Sequence, residues 1–203
     1  EKVEKENTGS VDLTLDMEVG SGVMHVYVEG NSDIAGSVAT LIHGANYYAG
    51  TALDAKGQGR AQLSEITYEG ELEDYTFAIG VQDIFRFADL NSTSNSETEQ
   101  FLADSLANNP TIEAPDYTVS AVLRQNQDKL IQGTFILANG YGLSDNQSVD
   151  YNDLLDFGKT PQGLKKGLFG LGEFRMFDQG MWLTVGRWRT NQEDEPLSGS
   201  YVN

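Results

Sequence analysis

The stretch QGRAQLSEITYEGELEDYTFAIGVQDIFRFADLN, residues 58–91, decides how this chain is to be read. Two alternating segments, 62–69 and 74–82, flank an acidic turn at 70–73. In the second, Tyr75, Phe77, Ile79 and Val81 alternate with Thr76, Ala78, Gly80 and Gln82. A period of two puts those sets on opposite faces of a strand. A third piece, with Asp83, Phe85, Arg86, Phe87 and Asp89, then leaves the hairpin. Alternation alone fits two architectures: a soluble sandwich that buries the apolar stripe, or a barrel wall that shows it to lipid.

The same period recurs along the chain. Val11, Leu13, Leu15 and Met17 alternate with Asp12, Thr14, Asp16 and Glu18, and Met24, Val26 and Val28 with Val23, His25, Tyr27 and Glu29. Tyr117, Val119, Ala121 and Leu123 oppose Thr118, Ser120, Val122 and Arg124. With weaker alternation through 129–139, 168–177 and 181–189, eight strands are expected. They pair as hairpins: 11–18 with 23–29, 62–69 with 74–82, 117–125 with 129–139, and 168–177 with 181–189. Turns within a pair are short and rich in Gly, Asp or Asn, whereas connections between pairs are long. Short turns at one end and long loops at the other are the pattern of a transmembrane barrel, and a sandwich spreads its loop lengths more evenly. Within the long connections, 34–39 and 96–108 read as short helices.

Bulk composition narrows the function. Among 203 residues, 13 Lys+Arg against 31 Asp+Glu give a net charge of -18, which disfavours nucleic acid as a partner. The chain has no cysteine, so disulfides, thiol catalysis and Cys-based metal sites are excluded. No apolar run is long enough for a membrane-spanning helix, but a barrel strand needs only about 9–11 residues with one apolar face. Residues 1–10 form a polar tail, and 1–203 reads as one domain.

Chemistry finds little footing. His25 and His43 are the two histidines, and neither a Gly-x-Ser-x-Gly elbow nor a His-Glu-x-x-His pair occurs. No enzymatic activity is expected. The glycines of 167–172 lack the Lys-Ser/Thr of a phosphate loop and fall in an alternating strand. Calcium is the one cofactor the residue types allow, at Asp145, Asp150, Asn152 and Asp153. That run lacks EF-hand spacing, and a solvated loop accounts for it better.

The segment FADLNSTSNSETEQFLADSLANNPTIEAPDYTVSAVLR resembles the corresponding part of carbohydrate-selective porins of the OprB family. The family's phrase reads here as Gly80, Gln82, Asp83, Phe87 and Asn91, followed by Asn108-Asn109-Pro110 and Pro115-Asp116-Tyr117. Downstream, GLFGLGEFRM and MWLTVGRWR are similar to two further family strands. The resemblance spans residues 10–190 and implies an all-β antiparallel transmembrane barrel in a Gram-negative-type outer membrane. It implies passive diffusion of carbohydrates and small solutes, with outer-membrane lipid and sugars as partners and a monomer or homo-oligomer as the assembly. Family members are much longer, so the chain is expected to form the N-terminal half of a larger barrel. On that reading the channel-lining or sugar-binding residues are Arg60, Glu65, Asp83, Arg86, Arg124, Glu173, Arg175, Trp182 and Trp188, although the tryptophans equally suit the aromatic girdles. The competing expectation is a soluble or surface-exposed β-rich protein, carbohydrate-binding or filament-forming, whose open edges associate.

Overall fold

The computed structural model describes residues 9–32, 58–90, 109, 111–126, 130–143, 151–155, 167–178, 181–190 and 197–202. They form one antiparallel sheet of nine strands in strict sequence order. The strands are β1 (Ser10–Val19), β2 (Gly22–Asn31), β3 (Ala61–Leu72), β4 (Tyr75–Gln82), β5 (Thr118–Gln125), β6 (Ile131–Asn139), β7 (Leu168–Asp178), β8 (Met181–Thr190) and β9 (Leu197–Val202). The eight expected strands are all present, each within a few residues of its expected bounds. A ninth, β9, was not expected, because Ser198, Gly199 and Ser200 give it little apolar alternation.

The expectation of a barrel needs correction in one respect. Among the described residues the sheet is open: β1 pairs only with β2, β9 only with β8, and no register joins β1 to β9. The expected helices at 34–39 and 96–108 lie outside the described residues. Among those described, helix is confined to the 3-10 turn Ile84–Arg86 and the one-turn α1 (Tyr151–Leu155).

Side chains divide between the two faces, except at the loop end of β4, where Val81 is buried. One face is bare: Leu13, Leu15, Ile79, Phe135, Leu137 and Phe174 are each at least half exposed on it. Register carries the apolar set from strand to strand, Leu15 opposite Val26, Val26 opposite Ile66, and Ile66 opposite Val81. The other face is covered and largely polar. Glu29, Gln62, Thr67, Gln82, Ser120, Thr134, Glu173 and Thr184 are buried there. Burial of that many polar groups requires partners, and several are in place. Gln62 Nε2 donates to Glu29 Oε1 at 3.2 Å and to Ser64 Oγ at 3.1 Å, and Gln82 Nε2 donates to Ser120 Oγ at 2.8 Å. A bulge between Tyr27 and Val28 lets Ser64 and Glu65 both turn toward the covered face.

What covers this face is the β4–β5 connection. Ile84, Phe87, Ala88 and Ile112 pack on Ala78, Val122, Ile136, Phe169, Leu171 and Trp188. Asp89 and Tyr117 both adopt left-handed backbone, at φ 55° and 48°. Each is held there: Asp89 N–H donates to Glu173 Oε2 at 2.6 Å, and Tyr117 Oη donates to Glu29 Oε2 at 3.2 Å. A smaller cluster of Val81, Tyr117, Tyr141, Leu143 and Leu154 caps the loop end of β4 and β5.

Glycine opposite an aromatic residue recurs across the sheet. A Cβ on Gly186 would lie 2.2 Å from the Tyr201 ring, one on Gly199 2.5 Å from the Trp188 indole, and one on Gly70 2.6 Å from Phe77. In each case the ring lies flat across the neighbouring strand, which the missing side chain permits.

Candidate functional site

The charged residues of the covered face gather in two groups joined by the inserted segment. Asp83 caps the 3-10 turn, accepting from Phe85 N–H at 2.9 Å, and so fixes the turn that carries Arg86. Arg86 reaches β3, where Nη1 pairs with Glu65 and Nη2 with Glu69 Oε1 at 2.6 Å. Its guanidinium carbon also lies 5.2 Å from the centre of the Phe87 ring. His25 extends the group to β1: Nδ1 lies 2.6 Å from Asp16 Oδ1 and Nε2 3.8 Å from Glu65 Oε2. Burial pushes the Asp83 carboxyl above its ordinary range, and the Phe85 amide and the Arg86 charge only partly offset this.

Glu173 on β7 anchors the second group. Its Oε2 accepts from Tyr201 Oη and from Asp89 N–H, both at 2.6 Å. One register row crosses seven strands through this residue: Glu71, Thr76, Arg124, Thr134, Glu173, Gly186 and Tyr201. Arg175 lies on the same face two residues along, opposite Gln132 and Thr184. Acidic groups therefore dominate β1–β3, while arginines enter from the inserted turn, β5 and β7.

Toward the short-turn end the covered face is not filled. Asp16, His25, Glu69, Glu71, Thr76 and Arg86 line an open groove of about 450 Å³. Its walls combine these hydrogen-bonding and charged side chains with Gly22, Val23 and Gly70. Such a surface can hold water and hydroxyl-bearing solutes.

Of the residues singled out from the sequence, Glu65 and Arg86 meet directly, Asp83 positions Arg86, and Arg124, Glu173 and Arg175 share the covered face. Arg60 stands apart, donating from Nη2 to Gln62 at the loop end of β3. Trp188 is 5% exposed, stacked on Phe169 at 6.4 Å, and donates from Nε1 to Thr111 O at 2.9 Å. It belongs to the packing beneath the inserted segment and not to the groove. Trp182 pairs with Phe177 through the backbone, and its side chain lies outside the description. Asp145 and Asp150 lie outside the described residues. Asn152 and Asp153 sit on α1, where the Asp153 carbonyl accepts from Tyr141 Oη. Among the described residues no group of three or more acidic or histidine side chains is placed to hold a metal ion.

The sequence reading did not single out Asp16, Glu69, Asp89 or Tyr201. Glu69 was detectable, four residues from Glu65 on the same strand face. Asp89 acts through its backbone, and Tyr201 lies on the unexpected strand, so neither left a side-chain signal. No family model, no curated protein and no solved structure matches this chain.

Proposed function

We propose that this sheet is part of the wall of an outer-membrane porin that passes carbohydrates and small solutes by diffusion. One observation carries the reading: the sheet leaves apolar side chains bare on one face while Glu29, Gln62, Glu65, Gln82 and Glu173 are buried on the other. Water-soluble sheets do the reverse, and soluble monomers rarely leave more than a few hundred Å² of contiguous apolar surface bare. Hydrocarbon is the solvent that favours side chains such as Ile79 and Phe135 outside and Glu65 and Arg86 inside. The short turns and long connections support the same orientation, as does the resemblance to OprB porins. The β4–β5 segment then lies across the passage, and the Arg86–Glu65–Glu69 contacts fix its position there. The groove supplies the hydrogen-bonding wall along which a sugar exchanges water for protein partners.

The test begins with fractionation of cells expressing the full-length polypeptide that carries this sequence. The protein is expected only in the detergent-extracted outer membrane. Once purified, it is expected to let liposomes swell in isotonic mono- and disaccharide solutions at rates that fall with solute size. Recovery from the detergent-free fraction would favour a soluble β-rich protein and end the porin reading.

A further inference from the structure

The bare face changes character at one corner. On β1, apolar side chains run its whole length, from Val11 to Val19. On β8 and β9 they stop halfway, and on β7 the glycines Gly170 and Gly172 interrupt them before the exposed Leu168. Phe174, Met176, Leu183, Val185 and Val202 fill the half toward the short turns. Toward the long-loop end the same face carries Arg187 and Arg189, both exposed. Arg187 is flanked by Gly172 and Ser200, and Arg189 by Gly170 and Ser198. Nothing lies within 4 Å of a Cβ built on Gly170, so the floor beside Arg189 is open. Among the described residues neither arginine meets a carboxylate. Two neighbouring cations without a carboxylate partner among the described residues, on an otherwise apolar surface, make a place for an external anion.

We propose that Arg187 and Arg189, above this floor of glycine and serine, bind the phosphate monoester of a glycolipid headgroup in the outer leaflet. The inference rests on the proposed membrane reading, because only there does the bare face meet lipid. An arginine costs about 2–4 kcal/mol at the bilayer midplane but little at the interface. Arg189 stands one residue from the end of β8 and Arg187 three, which brings both near the headgroups. Long loops mark the outward end of such a barrel, so the headgroups here are those of the outer leaflet, where phosphorylated glycolipid resides. Guanidinium groups grip phosphate oxygens bidentately, and the absence of bulky neighbours on Gly170, Gly172, Ser198 and Ser200 lets a sugar phosphate approach the strand. In sequence the nearest competing anions are Glu193, Asp194 and Glu195, which the experiment below separates from lipid phosphate.

The experiment compares the full-length protein with R187Q/R189Q, both extracted from outer membrane and analysed by native mass spectrometry. Wild type is expected to retain bound lipopolysaccharide, and the double variant about tenfold less or lower still. Rebinding to nanodiscs that contain phosphorylated lipid A is expected to show the same ratio, which should vanish when the lipid A has been dephosphorylated. Equal retention by the two proteins overturns the proposal. Equal gain from phosphatidylglycerol nanodiscs also overturns it, by showing a general anionic-lipid surface. A variant that loses thermal stability without any lipid A present, with retention unchanged, overturns it in favour of pairing with the acids at 193–195. Sugar-driven liposome swelling is measured on both proteins. If swelling persists while retention is equal, only this inference fails; if the protein is not in the membrane, the porin reading fails with it.

Discussion

The two faces of a single strand make the sharpest contrast in this molecule. On β6, Phe135 and Leu137 are exposed while Gln132 and Thr134, their near neighbours, are buried. On β4, Ile79 stands bare while Gln82 is sealed from solvent and bonded. The same backbone ladder thus presents an exposed apolar face and a covered face rich in buried polar groups. The lesson is that burial and hydrophobicity are separate quantities. In this sheet polar residues such as Gln82, Thr134 and Glu173 are buried beside an apolar core, and hydrogen bonds share the covered face with apolar packing.

The largest test of this contrast is a charge on the bare face. Ile79→Arg is expected to cost about 2–4 kcal/mol in lipid, whereas Thr76→Arg, which points into the open groove, should stay within about 0.5 kcal/mol. Urea unfolding in liposomes reads both values. If Ile79→Arg proves harmless in lipid, the contrast has been misassigned.

Next in size is the charge pair on the opposite face. Arg86→Gln strands the buried Glu65 and is expected to cost about 1.5–3 kcal/mol. In planar bilayers it should also shift the reversal potential in a KCl gradient toward stronger cation preference, because Glu65 and Glu69 lose their shared counter-charge. An unchanged reversal potential would detach these residues from the passage. Glu173→Gln is expected to cost about 1–2 kcal/mol by weakening two charge-assisted bonds. It should speed hydrogen exchange at the Asp89 amide while leaving amides of β1 and β2 unaffected.

The smallest effect concerns acidity at the edge of the inserted turn. Asp83 is held above its ordinary carboxyl range by burial, so the folded chain binds its proton more tightly than the unfolded chain. That contribution to stability is full at low pH and fades as pH rises above the usual carboxylate range. Asp83→Asn keeps a capping side chain and should flatten this part of the stability profile, seen as a urea midpoint that varies less between acidic and neutral buffer.

Much of the fold was legible in the sequence, because a strand with one apolar face must alternate. Eight strands and their hairpin pairing follow from that rule alone. β9 escaped it because two of its three bare-face positions are Ser198 and Ser200, which left Val202 alone as apolar contrast. Whether the sheet closes was equally hidden, since alternation records which way a residue faces and not which strand lies beside it. The site divides along the same line. Glu65, Arg86 and Glu173 announced themselves as charges within strand patterns or next to one. That Arg86 turns back to β3, and that Trp188 is spent on packing, depend on how the β4–β5 segment folds inward. That path is fixed by Ile84, Phe87 and Ile112 meeting a core assembled from six strands, a contact no local window contains.

An antiparallel sheet reverses direction at every step, so an odd number of strands leaves its two outermost members running the same way. In this sheet β1 and β9 are therefore co-directional. Within a bilayer both free edges need partners, since no water is present to satisfy their amides and carbonyls. A wall that completed the ring with antiparallel bonds throughout would have to supply an odd number of strands of its own, to reach the even total such rings require. A second identical sheet inserted in the same orientation could not do so, because β9 of one would meet β1 of the other in parallel. The parity of nine thus sets the arithmetic that any closing partner must satisfy.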